Sequence, residues 1–89
     1  MDEILITKIG SQFRNTALGL MRIRRNLKLG NIADCDIESL LRSIILSTEI
    51  DNIESKGKNH YFRNSQYNAI LTINKHSFTI ITAKQIKVE

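Results

Sequence analysis

The chain has 89 residues, with thirteen lysines and arginines against nine aspartates and glutamates, so its formal net charge is +4. This length fits one small domain, and the lone Cys35 excludes an intramolecular disulfide. No apolar run approaches the roughly 20 residues that span a bilayer, and the two histidines are too scattered for a structural zinc site. We therefore expect one cytoplasmic domain, residues 1–89, with no metal, cofactor or membrane contact.

Helical spacing of apolar residues marks the first half of the chain, residues 1–50. The pattern of a short first amphipathic helix is formed by Ile4, Leu5, Lys8, Ile9 and Phe13. Asn15 or Thr16 has a side chain that caps the start of a second helix, and Gly30 is a residue type at which helices end. We expect this second helix to pass through Met21 and Leu27.

A third helix follows, with Asp34 or Asp36 as its N-terminal cap. Its apolar stripe consists of Ile37, Leu40, Leu41, Ile44 and Ile45. The polar side begins with Glu38, and Glu49, Asp51 and Glu54 follow it. These acidic residues either pack alongside a basic surface of the same chain or are solvated, and both interpretations stay open.

Alternating apolar and polar residues replace the helical spacing in the second half, residues 51–89. The strongest strand patterns are residues 69–73 and 78–82, which are rich in β-branched residues and are joined by a turn. Phe78 and Ile80 are expected to share one face of the second of these strands.

A shorter strand at Ile53 and the run 59–63 are predicted to be joined by a turn at Lys56–Gly57. The complete pattern predicts an α+β fold in which N-terminal helices pack on a C-terminal antiparallel meander of three to four strands. The expected core consists of Leu41, Ile44, Ile45, Leu71, Ile73 and Ile80.

Positive charge is concentrated in residues 22–28, which hold four lysines and arginines. No acidic residue occurs between Ile4 and Ala33, so a helix here displays positive charge around much of its circumference. Such a surface suits phosphate contacts, although it also keeps a protein soluble. The predicted contacts to nucleic acid or to a nucleic-acid-binding protein are Arg22, Arg24, Arg25, Asn26 and Lys28, with Lys56 and Lys58 at a hairpin tip.

Other residues qualify this interpretation. Gly19 lies on the same helical face as Arg22, and a glycine inside a helix indicates that another part of the chain or a ligand approaches the backbone closely. Tyr61, Phe62 and Tyr67 are aromatic residues that either stack on bases or pack in the core. A homodimer would add buried surface to so small a domain and is also kept open.

A sequence pattern runs through the chain in three parts. It comprises Thr16, Leu18-Gly19, Arg22-Ile23 and Asn26-Leu27; then Gly57-Lys58-Asn59 and Tyr61; then Thr72-Ile73-Asn74 and Ser77 to Ala83. Over roughly residues 16–87 this pattern resembles a small bacterial family catalogued only as a domain of unknown function. The resemblance implies no activity. His60 stands where it implies a tryptophan, and Lys84 stands where it implies a histidine.

Two classes of function fit these features. The first is a small basic module that binds nucleic acid or a nucleoprotein without catalysis. The second is a phage-type, anti-CRISPR-like inhibitor of a nucleic-acid-guided defence nuclease, in which the acidic block of residues 34–54 would contact a basic groove of the nuclease.

The order of elements also resembles barnase-like and RelE-like ribonucleases and toxins, which suggests a metal-independent ribonuclease toxin as the alternative. Its catalytic candidates are His60, His76, Lys58, Arg63 and Lys84, because such a reaction needs a base and cations on the phosphate. We expect binding rather than catalysis, since Lys84 replaces the best-placed imidazole.

Overall fold

The computed structural model describes residues 1–88 and arranges them as three helices followed by one antiparallel sheet. The helices are α1 (Glu3–Gln12), α2 (Ala17–Asn26) and α3 (Asp34–Ser47), and a 3-10 turn at Ile50–Asn52 leads into the sheet. The strands β1 (Ile53–Lys56), β2 (Asn59–Asn64), β3 (Ala69–Asn74) and β4 (Ile80–Gln85) are neighbours in chain order. The predicted α+β fold is confirmed.

The helix caps follow the prediction at α2 and depart from it at α3. Thr16 Oγ1 accepts a backbone N–H from the first turn of α2 at 2.9 Å, as expected of an N-terminal cap. The prediction that Asp34 or Asp36 caps α3 is wrong. The helix begins at Asp34 itself, and its N-cap residue, Ala33, makes no side-chain hydrogen bond to the first turn. The Asp34 carboxylate instead accepts a hydrogen bond from Arg24 at 2.6 Å.

The second helix ends at Asn26, before the predicted stop at Gly30. Lys28 has a φ of 56°, in the left-handed region, and the N–H of Leu29 donates to the carbonyl of Arg24 at 3.0 Å. This is the Schellman ending of a helix, in which the left-handed position is usually glycine. Lys28 therefore carries backbone strain that a glycine there would relieve.

One hydrophobic core lies between the helices and the sheet. All six predicted core residues are fully or almost fully buried in it: Leu41, Ile44, Ile45, Leu71, Ile73 and Ile80. Ile4 was placed wrongly, since it is 80% exposed and Ile6 faces the core instead. Arg42 joins α3 to α1, because its Nε donates to the Gly10 carbonyl at 2.9 Å and its guanidinium lies over the Phe13 ring.

The last strand begins later than predicted. Asn74 Oδ1 accepts the backbone N–H groups of the two residues at the centre of the β3–β4 turn, which extends that turn. Phe78 then has a φ of 58° and precedes the strand, which starts at Ile80. The expectation that Phe78 and Ile80 share a strand face was therefore wrong. A bulge follows, since Ile73 is opposite Ile80 and Thr72 is opposite Thr82.

The outer edge of β4 is covered by the helical half of the chain. Arg14 forms a parallel bridge with Thr79, just before the strand. Gly19 is buried, and a β-carbon on it would lie 2.9 Å from Thr16 Oγ1, the hydroxyl that caps the helix, and 3.5 Å from the Ile80 carbonyl oxygen at the start of β4. Farther along, Asn26 Nδ2 donates to the Ala83 carbonyl at 3.1 Å. The close approach that Gly19 indicates is thus that of the Thr16 cap of its own helix, and β4 lies at ordinary contact distance beyond it.

Candidate nucleic-acid interface

The helices pack on one face of the sheet, and Tyr61 lies on the other face. Tyr61 alternates along β2 with His60 and Phe62, which are buried towards the helices, so its side chain points the opposite way. It pairs across strands with Thr72, which in turn pairs with Thr82. Tyr61 is partly exposed. The ring of a tyrosine on an open sheet face can stack on another planar ring, such as a nucleic-acid base.

Two cations lie in the next row of this open face. Arg63 on β2 is opposite Ile70 on β3, and Ile70 is opposite Lys84 on β4. Arg63 and Lys84 are exposed, and their backbones are two strand spacings apart, about 10 Å. The row therefore presents a partly exposed apolar side chain between two positive charges.

These rows line a shallow cleft of about 430 Å³. Its lining residues are Asp51, Asn52, Glu54, Tyr61, Arg63, Ile70, Thr72, Thr82 and Lys84. Two carboxylates thus face two cations in the cleft, so the cleft itself is close to neutral. Its positive charge is at the Arg63–Lys84 row.

The β1–β2 hairpin extends the open face beyond Tyr61. A second shallow cleft, of about 570 Å³, is lined by Lys56, Gly57, Lys58 and Tyr61, with Glu54 and Asn59. The turn itself is Gly57–Lys58, one residue later than predicted, and Gly57 has a φ of 58° that suits glycine. Tyr61 borders both clefts, with the hairpin lysines on one side and the Arg63–Lys84 row on the other.

The predicted cationic residues of α2 fall into two groups. Arg24 Nη1 donates to the carbonyls of Gly30 at 2.7 Å and Ile32 at 2.6 Å, and its Nη2 donates to Asp34. Arg24 therefore holds the α2–α3 connection and has little of its guanidinium left for a phosphate. Asn26 likewise holds α2 against β4 through the Ala83 carbonyl.

The remaining cations of the α2 segment are exposed to solvent: Arg22, Arg25 and Lys28. Arg22 is three residues after Gly19 and four before Asn26, both of which contact the backbone of β4. Helical spacing therefore places Arg22 beside the outer edge of β4, the strand that carries Lys84. Positive charge continues from the open face round this edge onto α2.

The catalytic candidates are dispersed. His60 faces the helices, is 7% exposed, and its Nδ1 lies 2.7 Å from Ser55 Oγ on β1. Burial, with the positive charge of Lys75 second, lowers the pKa of His60 below its ordinary value. His76 is exposed in the β3–β4 turn. Arg63 and Lys84 lie on the open face, whereas His60 faces the helices. Lys58 is at the hairpin tip, where its carbonyl accepts the backbone N–H of Lys75, the neighbour of His76, at 2.8 Å.

The open face as a unit was missed from the sequence. From the sequence, three aromatic residues were equivalent candidates for stacking on bases: Tyr61, Phe62 and Tyr67. In the structure, Phe62 is fully buried and Tyr67 is 38% exposed in the β2–β3 turn. The alternation along β2 separates Tyr61 and Arg63 from the buried residues. This alternation is visible in the sequence, but it identifies the open face only when one knows which face of the sheet the helices cover.

Within residues 1–88, no helix has the length and apolar character to cross a membrane. The same part of the chain holds no group of three or more His, Cys, Asp or Glu side chains placed to bind a metal ion. Residues 7–84 match the sequence profile of a family described as "Protein of unknown function (DUF3781)". The chain belongs to this family. Comparisons with curated proteins and with solved structures give no significant match.

The family match confirms the resemblance found in the sequence and extends it towards the N-terminus, across most of α1. In this DUF3781 chain, His60 occupies the position where the resemblance implies a tryptophan, and its side chain is buried beneath the helices. The position of the implied histidine is held by Lys84, on the open face of the sheet.

Proposed function

We propose that this protein binds single-stranded nucleic acid across the open face of its sheet, without cleaving it. The observation that supports the proposal best is the pairing of the partly exposed Tyr61 with the neighbouring Arg63–Lys84 row on a face without helices. Single-stranded sites combine an aromatic platform for bases with cations for the backbone, and this face has both.

A single strand suits the surface better than a duplex does. The bases of a duplex are already stacked on each other, so a ring on a flat sheet cannot reach their faces, whereas unpaired bases can lie on it. From Tyr61 the backbone would pass Lys84 and continue to Arg22 and Arg25 beyond the edge of β4. The hairpin lysines would contact the other end of the strand.

Binding without cleavage is the simpler proposal because neither imidazole lies at Tyr61 or in the Arg63–Lys84 row. The turn that holds His76 adjoins only the hairpin end of the path, through the backbone hydrogen bond from Lys75 to Lys58. His60 is buried on the opposite face and its pKa is lowered, and His76 lies in a turn. A general base must come within hydrogen-bonding reach of the hydroxyl group that it deprotonates.

The test is fluorescence anisotropy with labelled single-stranded RNA, single-stranded DNA and duplex DNA at several salt concentrations. Tyr61→Ala should weaken single-strand binding about 5- to 150-fold, the effect of losing one stacked base. Tyr61→Phe should retain most of the affinity, and Tyr67→Ala is the matched control at a tyrosine outside the open face.

The combined Arg63→Ala and Lys84→Ala variant should reduce the log-log slope of affinity against salt by about 0.7 for each phosphate that the protein no longer neutralises. Wild-type affinity and salt slope in both the Tyr61→Ala protein and this double variant would refute the site. The same RNA is then run on a denaturing gel after incubation without divalent metal. Cleavage that is lost in His60→Ala or His76→Ala protein would favour the ribonuclease alternative instead.

A further inference from the structure

A groove on the other side of the molecule is apolar at its floor. It lies between the start of α1, the end of α3 and the 3-10 turn, and its volume is about 620 Å³. Leu46 and Ile50 form part of the lining and are 50% and 40% exposed. Leu46 reaches across to α1, where Gly10 has no β-carbon to obstruct it. Partly exposed leucine and isoleucine side chains in a concave site are typical of a surface that takes an apolar partner.

The rim of this groove is acidic. Glu3, Glu49 and Asp51 line it, together with Thr7 and Thr48, and no lysine or arginine of residues 1–88 is among the lining residues. A segment that fits the groove must therefore present apolar side chains flanked by cations. Helices that bind in grooves present such side chains at spacings of three, four and seven residues.

The outer face of α2 has this character. Leu18 is 55% exposed and Met21 is 67% exposed, three residues apart on the side away from the core. Arg25 is seven residues after Leu18 and four after Met21, so it lies on the same side; Arg25 and the Lys28 that follows it are exposed. No acidic residue occurs in this part of the chain. The face is the complement of the groove in both polarity and charge.

The two surfaces lie at opposite ends of the sheet. The groove includes the 3-10 turn, which contacts β2, whereas α2 packs on β4. They therefore cannot meet within one chain. We propose that the outer face of α2 docks into the acidic-rimmed groove of a second copy of this chain, in a head-to-tail association.

This association uses different patches on its two partners, so it is heterologous. In a dimer, one copy therefore keeps a free groove and the other copy keeps a free helix face. Larger oligomers therefore form as concentration rises. The attraction between the acidic rim and the cations weakens with salt. The open face of the sheet takes no part in the association, and Arg25 is the cation that the two proposals share.

The test is analytical ultracentrifugation of the full chain at increasing concentration, in low and high salt. Wild-type protein should associate at low salt and dissociate at high salt. Leu46→Glu places a negative charge in the groove, and Met21→Glu places one on the outer face of α2. Both substitutions are at exposed positions. Each variant alone should be monomeric, with an unchanged circular dichroism spectrum.

An equimolar mixture of the two variants should form dimers and nothing larger, because the intact helix of the Leu46→Glu protein meets the intact groove of the Met21→Glu protein. A mixture that stays monomeric, or wild-type protein that stays monomeric at millimolar concentration and low salt, overturns the proposal. Leu46→Glu protein should keep wild-type affinity for single-stranded RNA, so failure of one proposal is distinguishable from failure of the other.

Discussion

Arg24 and Arg25 are neighbours with the same side chain, but replacing Arg24 by alanine should lower stability, whereas replacing Arg25 should weaken nucleic-acid binding. Arg24 donates to two backbone carbonyls and to a carboxylate, and 30% of its side chain is exposed. Each hydrogen bond to a carbonyl contributes about 1 kcal/mol net. The partner Asp34 is 66% exposed, so its ion pair adds at most about 1 kcal/mol.

Arg24→Ala should therefore lower the free energy of unfolding by about 2 to 3 kcal/mol, measured by urea denaturation followed by circular dichroism. In a domain of this size that corresponds to a fall in Tm of about 10 to 20 °C. Arg24→Lys should retain part of the stability, because one ammonium group cannot meet three acceptors in the geometry of the guanidinium fork.

Arg25→Ala is the matched control. Within residues 1–88 the Arg25 side chain makes no hydrogen bond, so its loss should change the unfolding free energy by no more than about 0.5 kcal/mol. Under conditions where both variants are folded, Arg25→Ala should weaken single-stranded RNA binding and flatten its salt dependence, whereas Arg24→Ala should do neither. Equal stability losses in the two variants would refute the assignment of Arg24 to the α2–α3 connection.

Four further substitutions test the fold. Leu41→Ala should lower the unfolding free energy by about 2 to 5 kcal/mol, because the side chain is fully buried, and a loss below about 0.5 kcal/mol in a urea melt would contradict that position. Lys28→Gly should raise it by about 0.5 to 1 kcal/mol by relieving the left-handed backbone, whereas Lys28→Ala, which removes the same charge, should give no gain. Asn64→Asp should lower it by about 3 kcal/mol or more in the same melt, because a carboxylate would face the three oxygen acceptors that the buried amide now serves. The lowered pKa of His60 stabilises the protein above about pH 6.5, and this contribution is lost as the pH falls towards the folded pKa, because the unfolded chain then binds more protons. Urea melts from pH 8 to 5 should therefore show a loss of stability in the wild-type protein and in the His76→Gln control. The loss should be smaller in His60→Gln protein.

The fold was predictable where local patterns and tertiary packing agree. The stripe around Leu41 has one helical face that is apolar enough to be buried, and β3 places Ala69, Leu71 and Ile73 on its buried face. The errors came where a contact distant in sequence decides the local structure. Asp34 lies inside the first turn of α3, where its carboxylate accepts a hydrogen bond from Arg24, and no spacing rule identifies that pairing. Phe78 was misplaced because the Asn74 turn is closed by side-chain hydrogen bonds.

The candidate interface was less predictable than the fold for a related reason. Local sequence identifies Arg22, Arg24 and Arg25 as cations but does not state which of them the folded chain uses internally. Tyr61 and Arg63 become parts of one surface only when the order of the strands and the covered face of the sheet are known. Pairing across three strands brings Lys84 into that surface from a distant part of the chain.

The two edge strands of the sheet, β1 and β4, differ in their ability to accept another strand. Along β4, the bridge to Arg14 and the Asn26 side chain already occupy backbone groups that a foreign strand would need. The edge strand β1 has four residues, two of which, Glu54 and Lys56, are charged. If two chains pair through their β1 edges, the joined sheet has a covered β4 edge at each end. Strand addition of this kind would therefore stop at a pair and would not continue into a fibre.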